Sequence, residues 1–107
     1  MRIVEFHRLL EKDTALRVRF ELERGKILKF TVQMECRFVE IEGWISIVRY
    51  DTAHGFAHCD ILFPYDKPKK IKMEIKDYND ALTAAINDLG INWKRYRKRY
   101  EEWLRKK

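Results

Sequence analysis

Serine and glutamine occur once each in this 107-residue chain, at Ser46 and Gln33, while proline and cysteine occur twice and glycine four times. There is no internal repeat and no low-complexity segment. Cys36 and Cys59 do not belong to a C-x-x-C pair, which excludes a zinc knuckle or a thioredoxin-like motif. Both lie in apolar alternation and are expected to behave as small buried hydrophobes. No apolar run approaches the roughly 20 residues that span a bilayer, so no membrane partner is expected. The opening Met1-Arg2-Ile3-Val4-Glu5-Phe6 carries charges inside its apolar stretch and lacks a small-residue cleavage site. No signal peptide is read there, and the cytoplasm is the expected compartment.

What is abundant is charge, at 37% of residues, beside 46% hydrophobic and 13% aromatic content. That balance excludes disorder and is enough for one domain with a single core that needs no staples. Charge in place of uncharged polar residues also matches the composition of hyperthermophile proteins. The net charge of +6 is confined to the end of the chain. Lys94, Arg95, Arg97, Lys98, Arg99, Arg105, Lys106 and Lys107 face only Glu101 and Glu102, and the preceding residues balance to zero. Such a segment either attracts phosphate backbones or acidic partners, or serves as a solvated helix face.

Period-two alternation dominates the first half. Leu16, Val18, Phe20 and Leu22 alternate with charges, and after an Arg24-Gly25-Lys26 turn Leu28, Phe30, Val32, Met34, Cys36 and Phe38 do the same. These predict a hairpin with one face in the core and one in water. A first strand is expected from Ile3 to Leu10, a turn at Glu42-Gly43, and a second hairpin from Trp44–Tyr50 to Phe56–Phe63. Pro64 to Lys70 reads as a loop, and a last strand is expected through Ile71, Met73 and Ile75.

Asp77 is the expected N-cap of a helix, with Asp80 in place of the usual Glu or Gln of a capping box. Leu82, Leu89, Tyr96 and Trp103 recur every seven residues, and Ile86, Trp93 and Tyr100 do so with an offset of four. One helix from about Tyr78 to Arg105 follows, with Gly90 inside it at a cost of about 1 kcal/mol relative to alanine. The predicted fold class is α+β: an antiparallel meander of about six strands (residues 2–76) with one long C-terminal helix (78–105) on one face. A helix on the order of 40 Å long is expected to overhang the short strands. That would leave Trp93, Lys94, Arg97, Lys98 and Tyr100 as a basic, aromatic surface for single-stranded RNA or for a second copy.

The densest polar chemistry lies at the second hairpin, in Arg49-Tyr50-Asp51-Thr52-Ala53-His54-Gly55-Phe56-Ala57-His58-Cys59-Asp60. On the strand after the bend, His58 and Asp60 share one face. An even-numbered loop would set Arg49 across from His58 and an odd-numbered one would set Val48 there. His54 and His58 could act as general acid and base, with Asp60 and Asp51 orienting them and Arg49 stabilising a phosphate-like charge. That is the minimum for RNA cleavage without metal or cofactor. His54, His58 and Asp60 or Asp51 could also bind a metal, but the H-x3-H spacing on a hairpin without the H-E-x-x-H glutamate is a weak signal, and no metal is assigned. The commoner fate of such a cluster is a turn cap and a surface hydrogen-bonded pair that reacts with nothing. His7, alone in the first strand, reads as a structural or surface histidine.

The run Arg49–Asp60, followed by Asp77–Leu82 (D-Y-N-x-A-L) and Asn92–Arg97 (N-W-x-x-Y-R), resembles a family of small uncharacterised prokaryotic proteins. That family shares the core R-Y-D-x-A-H-G-x-A-H-x-D and has no established activity. Arg49-Tyr50-Asp51 and the histidines after it are also similar to the R-Y-D-N-A-P-H-H pattern of TumE-type toxins of toxin–antitoxin pairs. That resemblance implies a toxin-like component whose target involves nucleic acid. The leading expectation is an RNA-interacting, toxin-like ribonuclease, and the rival is a non-catalytic interaction or dimerisation module.

Overall fold

A computed structural model describes residues 1–106 and shows six strands followed by one helix. The strands are β1 (Arg2–Glu11), β2 (Thr14–Glu23), β3 (Lys26–Phe38), β4 (Ile41–Asp51), β5 (His58–Phe63) and β6 (Asp66–Lys72), and α1 is Tyr78–Leu104. They form one antiparallel sheet in sequential order β1 to β6, the α+β meander that the alternation predicts. Leu16, Val18, Phe30, Val32, Met34, Cys36, Phe38, Val48, Cys59 and Ile61 supply the buried face. The helix covers it with Ala81, Leu82, Ala85, Leu89, Tyr96 and Tyr100.

Both ends of the helix are fixed by named contacts. Asp77 accepts a hydrogen bond from the Asp80 N–H at 3.0 Å. Asn79 accepts from the Ile27 N–H and donates to the Gly25 carbonyl, both at 2.9 Å, tying the first turn to the β2–β3 hairpin. At the other end the Tyr100 ring stacks on Phe38 at 5.4 Å, and Trp103 meets Phe63 at 4.3 Å. The expected overhang is absent because β3 has 13 residues and so runs about 43 Å, as long as the helix it carries. The rings proposed as a free stripe therefore pack on the sheet.

Three local expectations are corrected. The chain turns at Val39-Glu40, before Gly43, which lies inside β4 with φ +79. There Glu42 to Trp44 oppose the single residue Arg37, a bulge that needs a backbone conformation glycine adopts at no steric cost. The segment expected as a loop, Pro64 to Lys70, contributes most of β6, and the strand stops at Lys72 instead of running through Ile75. Pro68 is tolerated because β6 is an edge strand with one side unpaired. Phe56 lies in the bend, since β5 begins at His58.

Candidate functional site on the open face of the sheet

The face turned away from the helix is organised by strand register. Across the six strands His7, Arg17, Gln33, Arg49, Asp60 and Lys70 stand side by side in one row. Two residues along each strand, Glu5, Arg19, Thr31, Asp51, His58 and Lys72 make a second row. Each row spans about 24 Å at the usual strand spacing. All twelve side chains are polar, and the five lysines and arginines outnumber the three carboxylates. Glu5, His7, Arg17, Arg19, Thr31 and Gln33 line a concavity of about 570 Å³ at the β1 end.

At the β5 end the rows sink out of water. His58 and Asp60 are 3% and 6% exposed although they lie on the open face. The residue opposite His58 is Asp51, and Arg49 stands opposite Asp60, so neither register considered from the loop length holds. Asp51 Oδ1 is 3.0 Å from His58 Nε2 and also accepts the Ala53 N–H at 3.0 Å, which folds the chain back over the strand. Asp60 Oδ1 lies 3.8 Å from the same Nε2 and 3.4 Å from Lys70 Nζ. The bend is held by the Gly55 N–H donating to the Thr52 carbonyl and by Thr52 Oγ1 accepting from the Phe30 N–H. It places the His54 ring over His58 at 5.5 Å and 29°, with Phe56 at 5.7 Å and the Lys72 ammonium over Phe56. His58 Nδ1 is buried and has no hydrogen-bond partner among the described residues.

His54, His58, Asp51, Asp60 and Arg49 are thus gathered in one place, but at different depths. His54 is exposed and the other four are buried or half-buried. The two rings are stacked, and of the pair His54 alone is exposed to solvent. Asp51, His58 and Asp60 also bring three ligand atoms within 4.8 Å of one another, an arrangement that the sequence reading left unassigned.

The helical set is not gathered. Tyr100 is buried, Trp93 is half-buried, and Lys94 and Lys98 are exposed. The Arg97 guanidinium donates to the Asp13 carbonyl, Thr14 Oγ1 and the Arg37 carbonyl and sits 4.5 Å from the Phe38 ring, so it is part of the packing. Arg105 is held by Glu40 and Glu101. This basic end lies on the opposite layer, about 26 Å along β3 from the His54 bend.

Sequence reasoning missed Arg17, Arg19, Lys70 and Lys72 as members of the site, and His7 as lining the concavity. The alternation that marks Leu16 and Val18 as core already assigns Arg17 and Arg19 to the other face. It also missed Asp88, whose carboxylate joins the helix to the sheet by accepting from the hydroxyls of Tyr50 at 2.6 Å and Tyr96 at 2.7 Å. Burial, together with that carboxylate, pushes Tyr96 up to about 12 and raises Tyr50 well above the usual tyrosine range. Burial raises the Cys59 thiol to about 11, so at neutral pH it stays protonated and is not a nucleophile.

No curated protein and no solved structure matches the chain. A family model does, over residues 1–106, and by that match the chain belongs to DUF7718, a domain of unknown function.

Proposed function

We propose that the protein binds RNA on the open face of its sheet and cleaves it by acid–base chemistry at His54. The observation that carries this reading is the pair of cross-strand polar rows, rich in arginine and lysine, that ends beneath an exposed imidazole. Arg17, Arg19 and Arg49 meet phosphates along the strand, and Gln33 and Thr31 between them offer hydrogen bonds to sugar or base. His54 removes the proton from a ribose 2′-hydroxyl, whose oxygen attacks the adjacent phosphorus. The bond from phosphorus to the 5′ oxygen breaks, and that oxygen takes a proton from water, leaving a 2′,3′-cyclic phosphate. His58, Asp51 and Asp60 are positioning residues that form the floor on which His54 rests.

The test is fluorescence anisotropy with labelled single-stranded RNA across a salt series. Tight binding with log affinity falling linearly in log salt is expected, and Arg17→Ala should lower the slope by about 0.7. Lys94→Glu with Lys98→Glu, on the other layer, should leave the slope unchanged. Cleavage in chelator should fall at least about 100-fold in His54→Ala while RNA affinity is kept. Absence of binding at about 50 mM salt would remove the RNA reading.

The convergence of Asp51, His58 and Asp60 favours a second reading, a divalent-cation site of two carboxylates and one imidazole. Lys70 compensates Asp60 from 3.4 Å, and a bound divalent cation would add compensation for the Asp51 carboxylate beside it. Calorimetric titration of chelator-stripped protein with Mn²⁺ or Zn²⁺ tests this reading. Saturable one-site binding that is lost in Asp60→Asn supports the metal.

A further inference from the structure

The two edges of the sheet meet solvent in different ways. β6 carries Pro68 together with Lys67, Lys69, Lys70 and Lys72 in seven residues, the features that keep an edge strand from pairing with another chain. β1 runs ten residues without proline, and its outer side pairs with no strand among the described residues. Its apolar side chains stand in water, with Ile3 51%, Phe6 40% and Leu9 67% exposed.

We propose that β1 pairs antiparallel with β1 of a second copy, with Phe6 against Phe6 at a two-fold axis perpendicular to the sheet. An axis in that direction keeps like faces together, so residues that pair must lie on the same face and their numbers share parity. Four registers then pair most of the strand. Centring on Glu5 sets Glu5 against Glu5 and Arg2 against Arg8. Centring on Arg8 sets Arg8 against Arg8 and Glu5 against Glu11. Centring on His7 sets Glu5 against Leu9 and Ile3 against Glu11. Only centring on Phe6 avoids like charges and matches the exposed residues: Ile3 with Leu9, Glu5 with His7, and Phe6 with itself. The pairing covers the apolar side chains that the monomer leaves wet and satisfies the outward backbone groups of β1. It also joins the two open faces into one polar surface about 53 Å across, twelve strands wide.

Sedimentation of the full chain at about 100 µM, a concentration that favours association by mass action, should give twice the 13.1 kDa chain mass. Leu9→Lys, at an exposed position, should weaken association at least tenfold, and Ile91→Lys on the outer side of the helix should not. Phe6→Cys should cross-link under mild oxidation, because opposed Cα atoms lie within disulfide reach, at about 4.5–5.5 Å. His7→Cys should not, since its copies would be diagonal neighbours roughly 7–8 Å apart. The native Cys36 and Cys59 are buried and do not interfere. A monomeric wild type overturns the proposal. So does dissociation by Ile91→Lys without dissociation by Leu9→Lys, or preferential bridging at His7→Cys.

Discussion

Removing the carboxylate of Asp88 should loosen the helix from the sheet more than any other single polar change outside the core. Asp88 Oδ2 accepts the Tyr50 and Tyr96 hydroxyls at 2.6 and 2.7 Å, and Oδ1 accepts the Asn92 amide at 2.8 Å. Tyr50 stands on β4 and Tyr96 two turns further along the helix, so one charge ties three places together. A hydrogen bond to a charged group contributes about 1.5–3 kcal/mol. In Asp88→Ala the buried Tyr96 hydroxyl and the half-buried Tyr50 hydroxyl lose their acceptor together. We expect a loss of about 3–5 kcal/mol, a large part of the 5–15 kcal/mol typical of a domain. At about 4–8 °C per kcal/mol this lowers Tm by at least about 12 °C. Asp88→Asn keeps the shape and one acceptor and should cost about 1–2 kcal/mol.

Urea unfolding followed by tryptophan fluorescence reads this directly, because Trp93 and Trp103 lie on the helix. Tyr50→Phe alone should cost about 1–2 kcal/mol, since Asp88 keeps Tyr96 and Asn92. The double variant with Asp88→Ala should cost less than the sum of the two singles, by an amount that measures the pair. An Asp88→Ala chain within about 0.5 kcal/mol of wild type would refute the clamp, because surface substitutions away from such features fall in that range.

Further outcomes follow from the same packing. A Cβ built on Gly90 would lie 3.2 Å from Arg8 Nη2, the far end of a flexible side chain. Gly90→Ala should therefore recover about 0.5–1 kcal/mol of helix propensity, and a higher urea midpoint at unchanged slope checks it. Arg97→Ala removes three hydrogen bonds that close the β1–β2 turn and the end of β3 under the helix, and should cost about 2–4 kcal/mol, with Arg97→Lys recovering only part. Cys59 and Tyr96 hold their protons more tightly folded than unfolded, so their stabilisation is complete below pH 9 and is lost as pH rises through about 11 and about 12. Melting temperatures should fall as pH rises above 9, with Tyr96 supplying about 1–2 kcal/mol after screening. Asp88→Ala should move the tyrosine absorbance titration to lower pH.

The meander and the helix were legible because both are written as periodicities, two for the strands and three-four for the helix, and no tertiary contact opposes them. The misplaced boundaries share one cause: a residue that permits a break was read as one that requires it. Gly43 permits a turn, but its left-handed backbone serves a bulge inside β4. Pro68 permits a loop, but an edge strand has a side on which the missing N–H is not needed. At the site, the chain shows which side chains share a face but not their depth. His58 and Asp60 alternate out of the core and are nevertheless buried, because the bend carrying His54 and Phe56 folds back over them, and that closure depends on the Asp51 carboxylate holding the Ala53 N–H.

Charge shows why summing along a sequence and summing over a surface differ. The excess of +6 lies in the last turns of the chain, yet much of it is bound there: Arg97 inside the packing, Arg105 between Glu40 and Glu101, and Arg99 against the rings of Tyr96 and Trp103. The residues before it balance to zero, but the sheet sorts them by parity: beside the Glu35–Arg17 and Glu21–Arg19–Lys29 pairs, two rows of the open face set five cations against three carboxylates. Two of those carboxylates, Asp51 and Asp60, converge on His58 and are screened from solvent by the bend. A polyanion approaching that face meets Arg17, Arg19, Arg49, Lys70 and Lys72, with Glu5, itself paired to Arg19, as the one exposed carboxylate in the two rows. The neutral part of the chain thus carries a local excess of cations in two rows of its open face, while Arg97 and Arg105 of the basic tail fasten the helix to the sheet.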